Sequence, residues 1–169
     1  MKDMKNKPSY IRGFSLIEIM IVIVMLAILV GIAIPNYQHY IRKSQFTQAQ
    51  QEVYKLAEQL ERYKTRNFTY KSFNADYLYS SLDGNNAEIV FDTSTQTLNL
   101  SFNQGQVKYV IKIIDEDTLK PLNNDEAKGV NWRIEARSTD PRNKSLLLSN
   151  DGTTCQKTAV PSQGEICSE

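Results

Sequence analysis

At 169 residues and a formal net charge of +1, the chain has room for one modest domain plus an appendage, and its net charge gives no support to a general nucleic-acid surface. Four basic residues (Lys2, Lys5, Lys7, Arg12) precede Phe14 against one acid, Asp3, so this leader carries +3 and the rest of the chain −2. One histidine and two cysteines leave a His/Cys metal site short of ligands.

Phe14 to Ile34 is an apolar run of 21 residues interrupted by Ser15, Glu18 and Gly31. As a helix it would reach about 31 Å, the thickness of a hydrocarbon core. The basic leader keeps the N terminus cytoplasmic by the positive-inside bias, and Arg42 and Lys43 on the far side weaken that asymmetry without reversing it. Three fates are open to such a segment: a signal peptide cut after the small residues before Ile34, a permanent anchor, or cleavage ahead of the apolar run. Periodicity does not separate them.

Residue identities do. Gly13 followed by "FSLIEIMIVIVMLAILVGIAIPNY" closely resembles the N-terminal segment of type IV pilins, in which a membrane aspartyl peptidase cuts after the glycine and methylates the new N terminus. The resemblance implies cleavage between Gly13 and Phe14, N-methylation of Phe14, an assembly glutamate at Glu18 and a helix proline at Pro35. Past this segment it is architectural only.

Glu18 also has a physical case of its own. An unpaired carboxylate in lipid is protonated or destabilising. Cleavage would create a cation at Phe14, and side-by-side packing of many such helices would let each Glu18 meet a neighbour's amine. Loss of one partner of a buried pair costs about 3–5 kcal/mol, so Glu18 would act as a register device; the plainer alternative is a tolerated interfacial Glu. Pro35 lacks a donor for the carbonyl of Gly31, itself a poor helix former, so a kink or local loosening is expected between them.

Residues 36–66 read as the amphipathic half of the same helix, with an apolar stripe of Ala49, Val53, Leu56, Leu60 and Tyr63. Residues 67–87 are an aromatic connector with turn formers and a short helix expected near Ala75–Ser81; its tyrosines are expected to be half-buried against the helix, with surface contacts as the alternative. Strand signals follow at Glu88–Asp92, Thr97–Phe102, Val107–Ile114 and Asn131–Arg137, and Ser145–Ser149 reads as the last strand before the Asp151–Gly152 turn. Short connections make residues 88–154 an antiparallel meander whose apolar face covers the helix stripe.

Cys155 and Cys167 have eleven residues between them. In an exported domain an isolated pair at this spacing suggests a disulfide closing residues 155–169; two reduced thiols in a cytosolic protein are the alternative. The pilin resemblance implies the same C-terminal loop. No nucleotide loop, GxSxG, HExxH or CxxC occurs. His39 reads as a membrane-surface residue. The acids Asp115, Glu116, Asp117, Asp125 and Glu126 offer oxygen ligands for calcium without EF-hand spacing, so a solvated loop is the default. The Asp140–Lys144 turn reads as a solvated basic loop by default, with DNA contact as the alternative, and the sequons at Asn67 and Asn143 are short enough to be chance.

The fold expected is α+β: a cleaved leader (1–13), a membrane-spanning and filament-core helix segment (14–35), its amphipathic continuation, the connector, an antiparallel sheet and a disulfide-closed tail. The function implied is a type IV pilus subunit, minor rather than main, supporting twitching motility, adhesion or DNA uptake. Its partners would be other pilin subunits, the prepilin peptidase, the inner-membrane assembly platform and membrane lipid; DNA binding has no support in the residues, and no cofactor is implied. It would sit in the inner membrane as a single-pass precursor and then in an extracellular filament. The alternatives are a pseudopilin of a type II secretion system and, from another class, a signal-anchored envelope enzyme.

Overall fold

A computed structural model describes residues 14–79, 89–102 and 106–158. The leader, Gly13, the "DGNN" break and Cys167 lie outside the described residues. The chain divides into two units at Tyr40/Ile41.

In the first unit the chain enters helix α1 (Leu16–Asn67, 52 residues), which continues as helix through Pro35. Every residue from Phe14 to Tyr40 is exposed, including Ile17, Met20, Ile23, Leu29 and Ile32. A helix apolar on all sides and covered by none of the described residues needs a bilayer or other helices around it. It is long and apolar enough to cross a membrane by length and composition.

The second unit places the later part of α1 on an antiparallel sheet. Ala49, Val53, Leu56 and Leu60 are buried as the 3–4 spacing predicts, while Tyr63 stays partly exposed and meets the Phe73 ring edge-on at 5.5 Å. Six strands, β1 (Ile89–Asp92), β2 (Thr97–Phe102), β3 (Gln106–Asp115), β4 (Trp132–Ser138), β5 (Lys144–Ser149) and β6 (Thr154–Thr158), are joined in sequence order as a meander. Their core face is Leu98, Leu100, Tyr109, Ile111, Ile113, Trp132, Ile134, Ala136, Leu146 and Leu148, all in one cluster with the helix stripe. The connector closes the cluster with Tyr70, Phe73 and Tyr79, the last on the short helix α2 (Asp76–Tyr79). Tyr77 and Phe68 face outward.

Two features depart from the expected pattern. In β2 the pairing with β3 shifts register between Leu100 and Ser101, so Ser101 is buried and Phe102 only partly so, breaking the alternation. Ser145–Ser149 is not the last strand. The Asp151–Gly152 turn closes a hairpin, with Ser149 N–H donating to the Thr153 carbonyl at 3.0 Å, and β6 pairs along β5 from Thr154 to Thr158. Polar, exposed "TCQKT" lacks an apolar alternation because β6 is an edge strand.

Gly129 marks where the β3–β4 loop crosses the connector. Its carbonyl accepts from Tyr70 N–H and the Thr69 hydroxyl, its φ is +65°, and a Cβ there would lie 2.4 Å from the Lys71 amide nitrogen. Gly152 has φ +85° and open space around it. Gly152→Ala should therefore cost only the left-handed backbone penalty, about 1–2 kcal/mol. Gly129→Ala should cost clearly more, because backbone has to move. Thermal denaturation of the full chain in detergent should give the larger fall in Tm for Gly129→Ala.

Candidate functional site

The N-terminal segment starts with Ser15, whose carbonyl accepts from Ile19 N–H at 3.3 Å and from Glu18 N–H at 3.1 Å, opening α1. Ser15 and Glu18 have the spacing of a capping box, yet no hydrogen bond joins their side chains among the described residues. Glu18 therefore sits in the first helical turn, exposed, four residues after Phe14, itself 77% exposed. Carboxylate and prospective amine share one end of an uncovered apolar helix. A Cβ added at Gly31 would meet nothing within 4 Å, and Pro35 lies one turn on.

In the second unit the carboxylates hold the fold together. Glu61 Oε1 accepts from the Tyr70 hydroxyl at 2.8 Å and from Trp132 Nε1 at 3.0 Å, joining α1, the connector and β4. Glu52 accepts from the Tyr79 hydroxyl at 2.8 Å. Burial and the neighbouring Glu52 carboxylate push that hydroxyl's pKa up. These are packing contacts whose polar ends are satisfied, which is why Tyr70 and Tyr79 turn inward while Tyr77 stays exposed.

The acidic loop does not converge on one point. Asp115, fully buried, accepts from Gly129 N–H at 2.7 Å, Thr118 N–H and hydroxyl, and Asp117 N–H. Burial alone would raise its pKa, but those donors outweigh burial and hold the carboxyl below the usual Asp value. Glu116 pairs with Arg133, Glu126 with Lys120 and Asp117 with Lys128. Among the described residues no group of three or more His, Cys, Asp or Glu is placed to hold a metal ion. His39 is exposed on α1.

The Asp140–Lys144 turn packs against the start of the second unit. Asn143 is buried, with Nδ2 donating to Gln45 Oε1 at 3.4 Å, and the Tyr109 hydroxyl donates to the Lys144 carbonyl at 2.9 Å. Burial pushes the Tyr109 hydroxyl up to about 12. The Arg142 guanidinium holds Asp140 down to about 2, with Arg42 adding to the effect. Sequence reasoning missed Glu61 and Asp115 as organising groups. The only available signal was position: Glu61 directly follows the last buried helix position, Leu60, and Asp115 ends the longest strand.

Residues 8–34 match the profile of the prokaryotic N-terminal methylation motif, and residues 35–118 match a profile described as type IV minor pilin ComP, DNA uptake sequence receptor. The two matches abut. The chain belongs to the type IV pilin family. This pilin is 52% identical over 42 residues to a fimbrial protein of Pseudomonas aeruginosa, which is 25% of this chain and 27% of the relative. It is 55% identical over 42 residues to the type IV major alpha-pilin of Moraxella bovis (25% and 26%), and 51% identical over 41 residues to the type IV major fimbrial protein FimA of Dichelobacter nodosus (24% and 26%). The pilin thus spans about a quarter of the length of the curated relatives it matches. No solved structure matches it. It is a structural protein and not an enzyme.

Because Asp115 titrates below an ordinary Asp, its contribution to stability is full above the unfolded pKa of about 3.9 and is lost as pH falls through the lower folded value. Asp115→Asn presents an amide to donors that need acceptors. It should cost about 2 kcal/mol at neutral pH. Denaturation curves should show the gap to wild type narrowing as pH drops below about 4.

Proposed function

We propose that this pilin is a minor subunit of a type IV pilus: cut between Gly13 and Phe14, methylated on the Phe14 amine, stored in the inner membrane through the first part of α1, and packed by that helix into an extracellular filament. One observation carries the reading, the contiguity of the methylation motif ending at residue 34 with the minor-pilin profile beginning at residue 35. The uncovered apolar surface from Phe14 to Ile34 supports it, since that surface needs lipid first and neighbouring helices afterwards. Its partners in this reading are the prepilin peptidase, the inner-membrane assembly platform, membrane lipid and other pilin subunits.

Within the filament each Glu18 would pair with the Phe14 amine of a neighbour. A subunit out of register would leave a buried charge alone, at a cost of about 3–5 kcal/mol. Gly31 and Pro35 supply the segment in which α1 can bend or loosen as helices pack. Cys155 is not a free thiol, and Cys167 is the only other cysteine, which supports a Cys155–Cys167 disulfide closing the tail.

The matched profile's description names a DNA uptake sequence receptor. We infer from it a role in DNA uptake, ahead of twitching motility and adhesion, in which the head contacts DNA. The same match favours a pilus over a type II secretion pseudopilus.

Intact-mass measurement and N-terminal sequencing of the mature chain should find methylated Phe14 as the first residue. A start at Ile34 or an intact Met1 would contradict the proposal. Full-length chain in detergent should bind duplex DNA with an affinity that falls as salt rises; absence of such binding would remove the DNA role and leave the processing result standing.

A further inference from the structure

Charge that is mixed along the sequence is sorted by the topology of the second unit. One end of the sheet collects the finish of β2, the start of β3, the β4–β5 turn and the finish of β6. Lys108 stands near the start of β3, its carbonyl accepting from Thr139 N–H at 2.9 Å, so it adjoins the turn. Arg142 and Lys144 are on that turn and exposed. Asn143 ties the turn to Gln45 of α1 at 3.4 Å, and Arg42 lies about one helical turn before Gln45, with exposed Lys43 next to it in α1. These five cations are joined at this end, among the described residues, by Arg137 and Lys157, while Asp140 pairs with Arg142 at 3.0 Å and Glu135 with Arg137 at 2.6 Å. The opposite end holds Asp92, Asp115, Glu116 and Asp117, as well as cations that mostly pair with carboxylates.

Arg42 follows Ile34, the last residue of the apolar run, by eight residues. Even fully extended, eight residues span at most about 28 Å. The cationic end is therefore tethered within reach of whatever bilayer holds the apolar run. A tether this short keeps the two at high effective concentration. Basic side chains near an anionic membrane surface are attracted to it, an effect that falls off within a Debye length of about 8–10 Å.

We propose that this end of the head, Arg42, Lys43, Lys108, Arg142 and Lys144, is a docking surface for anionic lipid headgroups, engaged while the subunit is stored in the membrane and released when it enters the filament. The proposal goes beyond the pilus reading and rests on its membrane-inserted step. It makes the lipid surface a second contact of the stored subunit besides the apolar helix. It also assigns a use to a cluster that net charge conceals, because most of the described acids lie elsewhere in the unit.

The test reconstitutes the full chain into vesicles of phosphatidylcholine alone or mixed with phosphatidylglycerol and measures acylation of each lysine by mass spectrometry. Lys43, Lys108 and Lys144 should react about threefold more slowly in the anionic vesicles, the order of proton enrichment at such a surface. Lys71, Lys120 and Lys128 should show no such ratio, and high salt should abolish the effect. Lys144→Glu, at an exposed position whose backbone rather than side chain receives the Tyr109 bond, should restore reactivity at Lys43 and Lys108. A chain that fails to float with phosphatidylcholine vesicles overturns the membrane reading and this proposal with it. A chain that floats but shows equal lysine rates in both lipids overturns the proposal alone. Protection of the same three lysines by duplex DNA, with none from anionic lipid, would assign the surface to nucleic acid and likewise overturn it.

Discussion

The apolar surface of α1 that none of the described residues covers is the constraint on which the rest depends. From Phe14 to Ile34 the helix exposes nearly every large side chain it has. At roughly 25 cal/mol per Å², water could not be its stable surroundings. In the proposed reading, lipid satisfies it in the membrane and neighbouring helices satisfy it in the filament. Glu18 is the polar exception on this surface. An all-apolar helix would pack in many registers, and under that reading one carboxylate near its start, four residues after the proposed cleavage point, would restrict them.

Past Tyr40 the same helix changes character. Its stripe, Ala49 through Leu60, is buried by the sheet and the connector, and its polar residues become anchors. Glu61 ties the helix to Tyr70 and Trp132, and Glu52 holds Tyr79. Asp115 fastens the β3–β4 loop at Gly129, where that loop receives the connector through Tyr70 and Thr69. The connector is therefore clamped between helix and loop by groups with satisfied hydrogen bonds, which leaves Phe68 and Tyr77 as its outward aromatics.

Periodicity carried most of this fold in plain view. The helix stripe and the row in β3 alternate as burial on one face demands, β4 departs from alternation only at buried Glu135, and short turns between most strands point to a meander, with the long β3–β4 loop as the exception. What stayed hidden had no periodic signal. The shift at Leu100/Ser101 depends on how β2 meets β3, and β6 is an exposed edge strand whose side chains need no apolar pattern. The N-terminal segment that matches the methylation motif was more legible than the head because its signal is contiguous: Gly13, Phe14 and Glu18 lie within one short stretch. The cationic end of the sheet could not be read ahead, since Arg42, Lys108 and Arg142 come from three parts of the chain and meet only through strand pairing and the contact of the β4–β5 turn with α1.

If Glu18 sets register between packed helices, it is not needed to reach the membrane. Glu18→Ala separates the two roles, with cleavage, membrane insertion and incorporation into sheared surface filaments followed in the same cells. Register control predicts normal cleavage and insertion, with incorporation reduced to a small fraction of wild type. Incorporation of the variant at the wild-type level would contradict it.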